Sequence, residues 1–585
     1  MSQQFNQVRV GNTARSTFSL SHHQVTTSDF GYLIPICVRD MVPNDDFVVT
    51  PNIFCRLAPL AYPVYGRVSI KVSSFFVPYR ILYPHWSEFI TQSQANNTIP
   101  PFFTGSVLKQ ALQADPQFTN SEGITGNRGI YGRVMANLGI NPSSINSDAF
   151  SPNDRISAFR WLAYYRIWLD WFMDSNIYDH SQMVAAFNDT IKDGGSMVAQ
   201  ATEFLKYRCA CFGKDYFTTA KLHPQAGANP SRVSVDVAGP DLNPGIAEPP
   251  TPGGASNLQY VESERVKNAL GLPSKSNSVI GQFTVEELRA AVSLQRYLER
   301  NNYVGSKVIN QLLAHFGIAP TPERLDMSEY LGGSNFGVQI GDVTSTTPVQ
   351  DTSPDHDVLN LGLGAQAGKG VAASRTETIR YHAKEHGVFM TLMYIIPDTA
   401  YYQGIPKVMQ LGVTGDPLDF YTPEFENLGF QEILNKEVYI PDQSRFTLHY
   451  QGYDPDEIFG YAPRYAFLKW QQDILAGDFV GHFDDQAYGP MGQTQMDAWH
   501  LFRKFVYDDH DPLALNSNFV ECDNYNNDYD RIFQITDNRL DHFYFNIDCD
   551  VKATRPMVGF MEPSLDENNR GDGNTINLPY GGTRL

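Results

Sequence analysis

Apolar and polar positions alternate most cleanly near the two ends of the chain. In residues 67–78, RVSIKVSSFFVP, the positions Val68, Ile70, Val72, Ser74 and Phe76 share one face, and Pro78 ends the run. In residues 542–551, Phe543, Phe545, Ile547, Cys549 and Val551 face one way, while His542, Tyr544, Asn546, Asp548 and Asp550 face the other. Both patterns predict strands with one buried face. Residues 387–396, GVFMTLMYII, are apolar on both faces and predict the central strand of a packed double sheet. Residues 47–57, 447–450, 501–506 and 532–535 are shorter strand candidates.

Helical spacing replaces alternation in the middle of the chain. Residues 158–173, AFRWLAYYRIWLDWFM, place Trp161, Tyr165, Trp168 and Phe172 on one face after the start signals Ser151, Pro152 and Asp154. This dense aromatic run predicts a core helix rather than a base-stacking platform. Residues 283–333 predict two short helices. In the first, Thr284 is a candidate N-cap, Glu287 completes a capping box, and Val285, Leu288, Val292 and Leu298 mark an imperfect apolar stripe. The second begins near Ser306, carries Ile309, Leu312, Leu313 and Phe316 on one face, and stops at Gly317 and Pro320. Asn301, Asn302 and Gly305 form the hinge. Helices this short cannot bury their apolar faces alone and need either the host domain or a neighbouring subunit.

Residues 222–281 break all periodicity. Pro249, Pro250, Pro252, Gly253 and Gly254 mark a long exposed insertion, of a kind used for recognition when ordered. The glycines of residues 361–370, LGLGAQAGKG, predict a flexible turn, since no helical pattern follows them as a dinucleotide loop requires.

Composition narrows the class. The 585 residues are 42% hydrophobic and 18% charged, which excludes wholesale disorder. The 37 Phe, 31 Tyr, 45 Gly and 36 Pro favour strands with elaborate loops over a helical bundle. No apolar run is long enough to span a membrane, and the first residues, MSQQFNQVRV, lack a signal-peptide core, so the expectation is a soluble product made in the cytoplasm. The cysteines at 37, 55, 209, 211, 522 and 549 are few and scattered and are expected to be reduced.

A net charge of −20 argues against a protein that coats nucleic acid with its whole surface. Its distribution is uneven. Residues 1–28 contain no acid but carry Arg9, Arg15, His22 and His23, which predicts a polar, mildly basic arm with Arg9 and Arg15 as candidates for contact with nucleic acid.

No catalytic constellation emerges. His382 and His386 in HAKEH have a helical metal-pair spacing, but Glu385 does not follow the first His as metalloprotease chemistry requires. Cys209 and Cys211 have no second ligand pair at zinc spacing. Acidic clusters at 454–457, 484–485 and 508–511 match no calcium loop and read as solvated turns, with calcium at a subunit contact the one ion the pattern leaves open. There is no phosphate-binding GKS or GKT and no G-x-S-x-G elbow.

The order of several blocks resembles the major capsid proteins of gokushovirus-type microviruses, small icosahedral single-stranded DNA bacteriophages. The words RYLERN, HFG and SEYLGG in residues 283–333 carry the resemblance first. Leu33, Ile34, Pro35, Pro43, Asp46, Phe47, Arg56, Leu57, Pro63 and the FFVP of residues 75–78 resemble the family's opening block. Asp215, Tyr216, Phe217 and Thr218, followed by Pro224 and Gln225, resemble the block before its most variable loop. EHGVFMTLMYIIPDTAYYQGIPK, DFYTPEFENLGFQEI and FGYAPRYAFLKWQQDILAGDF follow in the family's order. Tyr83 stands where the family often has Trp.

The resemblance implies a mainly β protein, an eight-stranded viral jelly roll with long loop and helical insertions, and no enzymatic activity. Residues 1–28 would be an internal arm and residues 29–585 a single capsid domain. Residues 223–281 would form a protrusion at the three-fold axes, supported by the helical pair at 283–333. Asn229, Asp241, Pro249, Pro252 and Gly253 are its candidate host-attachment residues. The implied partners are further copies of the chain in pentamers and a shell, packaged single-stranded DNA, a small basic packaging protein and a host receptor. The implied location is the virion. The competing class is an extracellular carbohydrate-binding or carbohydrate-cleaving jelly roll, which calls for a signal peptide and a convergent carboxylate pair.

Overall fold

The computed structural model describes residues 15–92, 99–114, 131–147, 149–197, 201–226, 285–344, 366–413, 415, 417–440, 453–480, 498–505, 513–523, 529–534 and 541–557. The chain divides into two compact units, residues 1–222 with 304–585, and residues 223–303.

In chain order the first strands are β1 (Ser16–Ser19), β2 (His22–Ser28), β3 (Ile34–Met41), β4 (Asp46–Leu57) and β5 (Val68–Pro78). Next come β6 (Phe102–Thr104), β7 (Arg155–Ser157), β8 (Glu329–Gly337), β9 (Gln339–Thr344) and β10 (Gln366–Arg375). The last are β11 (Ile379–His382), β12 (Gly387–Pro397), β13 (Phe430–Leu434), β14 (Ile458–Pro463) and β15 (Phe543–Arg555).

Among the described residues, two antiparallel sheets dominate. The larger runs β1-β15-β4-β10-β9, with β2 also on β15 and β11 also on β4. The smaller runs β3-β12-β5-β8. Their inner faces share one core: Phe47 of β4 meets Phe389 of β12 at 6.5 Å between ring centroids, and Cys37 of β3 is joined to Cys549 of β15. This is the arrangement of a β-sandwich. The alternation read from β5 and β15 matches the burial along each strand, and β12, apolar on both faces, lies between β3 and β5 with nearly every residue buried.

The aromatic run at 158–173 is a core helix. It spans Phe159–Ile167 and continues as a wider π turn over Trp168–Phe172, with Trp161, Tyr165 and Trp168 buried. Tyr164 inside it donates to the Leu33 carbonyl at 3.0 Å and accepts the Arg208 N–H at 3.0 Å, which ties the helix to β3's approach. Its start matches the predicted one, with Ala158 as the N-cap residue, and β7, paired with β6, lies between it and the signals Ser151, Pro152 and Asp154.

A second, smaller core gathers Tyr216, Phe217, Tyr401, Ile433, Phe459 and Phe519 around the β13–β14 pair.

The two predicted helices form as Val285–Val304 and Val308–Phe316. The first runs through Asn301 and Asn302, so the hinge narrows to the residues around Gly305, whose φ of +82° favours glycine. Gly317 ends the second helix in the left-handed region at φ +70°, its N–H reaching the carbonyls of Leu312 and Leu313. Thr284 lies outside the described residues. In the unit formed by residues 223–303, the N–H of Ala226 donates to Leu298 at 3.2 Å and Asn302 donates to the His223 carbonyl at 2.6 Å.

Four expectations are corrected. Residues 16–28 are not a free arm, because β1 and β2 pair along β15 in register Ser16↔Arg555 and Thr26↔Phe545. Cys37 and Cys549 are not reduced thiols. They are 512 residues apart, and only the packing of one sheet on the other brings them together. Residues 366–370 are not a turn, since Gly368 and Gly370 sit in β10, where a Cβ would collide with Leu60 and Leu57. Residues 501–505 and 532–534 are not strands. Leu501 and Ile532 are buried from irregular chain and a 3-10 turn, so their apolar character reports packing rather than pairing. Residues 447–450 lie outside the described residues.

Candidate nucleic-acid surface

The sequence-predicted contacts fall unevenly. Arg15 does not stand free: its guanidinium binds the Asp46 carboxylate, the Asn44 carbonyl at 2.7 Å and the Thr554 carbonyl at 3.4 Å. His382 adds a 2.6 Å hydrogen bond to Asp46. Burial pushes the Asp46 carboxyl up, but the hydrogen bonds and charges of His382 and Arg15 together outweigh it and hold the group below the usual carboxylate range. Arg15 therefore clamps the start of β1 to the beginning of β4. Arg9, Asn229, Asp241, Pro249, Pro252 and Gly253 lie outside the described residues.

The suspected metal motifs have other roles. His382 is the end of β11, not a helix, and His386 packs its ring edge-on against Trp86 at 5.6 Å. In the 454–457 turn, Asp454 accepts the Asp456 N–H at 2.9 Å, and Asp456 pairs with Lys436. The clusters at 484–485 and 508–511 lie outside the described residues. Cys209 and Cys211 are separate thiols held protonated by burial, in short bridges to Tyr32 and Glu521.

The large sheet presents a different arrangement on its outward face. Register sets Tyr544 of β15 opposite Arg56 of β4, and Asn546 opposite Phe54. Asp548 lies opposite Asn52, which in turn lies opposite Arg375 of β10. Lys552 lies opposite Val48, which lies opposite Arg380 of β11. Lys369 extends the row along β10.

Charge on this face is asymmetric in its bonding. Among the described residues, the exposed side chains of Arg56, Lys369, Arg375, Arg380 and Lys552 make no hydrogen bond or ion pair. Three acids near them are engaged, Asp548 by His23 at 2.7 Å, Asp550 by the Ser21 hydroxyl at 2.9 Å, and Asp46 by Arg15 and His382, while Glu377, between Arg375 and Arg380 in the chain, is exposed. Two rings lie open among the cations, Phe54 at 40% and Tyr544 at 42% exposure. They are diagonal neighbours on adjacent strands, roughly 7 Å apart by sheet geometry. Free cations interleaved with open rings can bind phosphates and stack bases.

Sequence reasoning missed this face. The alternation of residues 46–57 does place Asn52, Phe54 and Arg56 on one side, but the convergence of Arg375 and Arg380 beside them depends on register across β4, β10 and β11.

Two antiparallel sheets packed on one core, with long excursions between their strands, define a β-sandwich protein. The chain belongs to the family described as Capsid protein (F protein), whose profile matches residues 6–565. It is 26% identical to the Capsid protein VP1 of Bdellovibrio phage phiMH2K, over 96% of this chain and 97% of that protein. It is 25% identical to the Capsid protein VP1 of Chlamydia phage 1, over 97% and 98%, and 22% identical to that of Spiroplasma virus 4, over 96% and 97%. These relatives are of the gokushovirus type that the block order resembles. The chain is a structural, non-enzymatic capsid protein and a component of the phage virion. Family membership decides against the carbohydrate-active alternative. No helix among the described residues is long and apolar enough to cross a membrane.

Proposed function

We propose that this chain is the repeating subunit of a small T=1 icosahedral shell, an eight-stranded jelly roll with long insertions, and that the outward face of its larger sheet holds packaged circular single-stranded DNA. One observation carries the DNA reading: Asp46, Asp548 and Asp550 are engaged, while Arg56, Lys369, Arg375, Arg380 and Lys552 have no side-chain partner among the described residues. Cations released from intramolecular pairing neutralise phosphates, and exposed rings take unpaired bases at about 1–3 kcal/mol each. The chain's net charge of −20 leaves much of the DNA charge uncompensated, which is the reason to include a small basic packaging protein as a partner. Residues 1–14, with Arg9, are the remaining length of arm available to the cargo. The Pro- and Gly-rich residues 223–281, with Asn229, Asp241, Pro249, Pro252 and Gly253, are the proposed protrusion that meets the host receptor.

The test replaces Arg56, Arg375 and Arg380 with Ala together. Binding of a single-stranded oligonucleotide to unassembled subunits is measured against salt, and DNA content is measured per particle. With a slope of about 0.7 per neutralised phosphate on a single strand, the triple change should lower the salt slope by about 2. Phe54→Ala should weaken binding with no change in slope. An unchanged slope together with unchanged DNA content would remove the sheet face from the reading. Separately, deleting residues 229–274 should leave particles intact and reduce adsorption to host cells; normal adsorption would remove the attachment role and leave the shell role untouched.

A further inference from the structure

The chain exposes two apolar surfaces of different construction within the unit formed by residues 1–222 and 304–585. The first is the helix Val308–Phe316 with the turn after it. No residue of this helix is buried, and Val308, Leu313, Phe316 and Ile318 are open to solvent, Phe316 at 73%. The 3-10 turn Pro322–Leu325 follows and carries Arg324, whose exposed guanidinium makes no hydrogen bond or ion pair among the described residues.

The second surface lies on the chain that leads into and out of β13 and β14. Met409, Val413, Phe420, Tyr421 and Leu468 are exposed there, Met409 at 75% and Val413 at 79%. These are not loose side chains on a wandering loop. The Tyr465 hydroxyl, buried beneath them, donates toward the carbonyls of Leu418 at 3.0 Å and Phe420 at 3.1 Å. Tyr421 packs edge-on to the Tyr465 ring at 5.2 Å, and the Asp419 carboxylate accepts the Gly412 N–H at 2.9 Å. Lys407 is fixed by the buried Glu437 at 3.0 Å. The rim carries acids: Glu426 is met by Lys469 at 3.4 Å and by the Tyr421 hydroxyl at 3.4 Å, and the exposed Glu424 carboxylate has no partner among the described residues.

We infer that the helix Val308–Phe316 of one copy seats on the apolar surface around Met409, Phe420 and Leu468 of a second copy, with Arg324 meeting Glu424 across the contact. Three considerations select a second copy as the occupant. A surface held by this many internal hydrogen bonds is pre-organised, so docking costs little ordering entropy. The charges are complementary, a free Arg beside the helix and a free Glu beside the surface it would meet. The chain belongs to a capsid family, so each copy is surrounded by others, and a contact between two different patches of the same chain is the heterologous kind that closes rings. The helix supplies Leu313 and Phe316 one turn apart, the pattern of a helix laid in an apolar groove.

The test has two arms, both with full-length chain produced in the phage's host beside the other virion proteins. In the first, Arg324→Glu and Glu424→Lys are made singly and together. Each single change should lower particle yield at least tenfold, and the double change should restore most of it. Normal yield from either single variant, or no rescue by the pair, overturns the contact. In the second, Phe316→Cys and Met409→Cys chains are co-expressed and the particles are oxidised after release. A disulfide-linked heterodimer on a non-reducing gel is the expected product. Its absence from particles that do form overturns the proposal even if the charge variants fold poorly, and so does linkage of Met409→Cys chains to one another alone. DNA content is not read in either arm, so the outcome is independent of the sheet-face reading.

Discussion

Changing Glu521 to Gln is expected to stabilise the unassembled subunit at alkaline pH and to leave it unchanged in acid. Glu521 follows the short helix Ser517–Val520 and bridges Cys211 through its backbone. Burial pushes its carboxyl up to about 7 from an ordinary 4.5, and Asp523 adds repulsion, against partial relief from Arg208, Lys206 and the Tyr178 hydroxyl. The sign follows from proton counting. Between pH 4.5 and about 7 the folded chain keeps a proton that the unfolded chain has lost, so stability falls as pH rises through that window and levels off above it. At 1.36 kcal/mol per pH unit, the ionised side chain costs about 3 kcal/mol above pH 7. Glutamine reproduces the neutral acid and removes that cost. Urea unfolding of wild-type and Glu521→Gln subunits at pH 4.5 and pH 8 should therefore give no difference at the first pH and a gain of about 3 kcal/mol at the second. A gain of equal size at both, or a loss at pH 8, would refute the reasoning, since neither can come from a carboxyl that titrates between them.

Three further outcomes follow from the fold. Cys549→Ser should lower subunit stability by about 2–5 kcal/mol through loss of the cross-sheet link to Cys37, and a thermal melt of the variant should no longer respond to reductant, whereas the wild type should. Gly31→Ala should prevent accumulation of soluble subunit, because φ is +78° and the added Cβ would overlap the Cys522 carbonyl; normal yield would show that this turn can shift. Phe389→Ala, in the buried centre of β12 against Phe47, should cost about 3–5 kcal/mol in denaturant unfolding while leaving the sheet content seen by circular dichroism unchanged.

Legibility in the sequence tracked how many faces of an element are buried. β5 and β15 were readable because one face is dry and one wet, and β12 because both faces are dry. β1 and β2 escaped notice because HHQVTTS and STFS are polar on both sides, and their strand state is decided by β15, more than 500 residues away. β10 was hidden for the opposite reason: Gly368 and Gly370 have no side chain to show a period, and they are needed because Leu60 and Leu57 occupy the space a Cβ would take. Residues 501–505 and 532–534 misled because apolar residues packed from irregular chain look locally like strand. The Cys37–Cys549 link has no local signature at all.

The same reasoning explains why arm composition did not show how Arg15 is engaged. Residues 1–28 lack acids, so Arg15 looked available, but pairing of β1 beside β15 sets it next to Asp46 on β4, and the charge is consumed within the sheet. The cations that remain open are gathered from four strands, β4, β10, β11 and β15, which register sets side by side, while His23 and Ser21 hydrogen-bond the Asp548 and Asp550 carboxylates. Where a strand pairs decides which charges are left over. A sequence of net charge −20 can therefore hold a locally cationic surface, and the register of β4, β10, β11 and β15 is what assembles it. Substituting His23 and Ser21 with Ala should change single-stranded DNA binding only modestly, because it frees the Asp548 and Asp550 carboxylates to move without altering their charge; a loss as large as that from removing Arg56, Arg375 and Arg380 would show that holding these carboxylates in place matters as much as the cations.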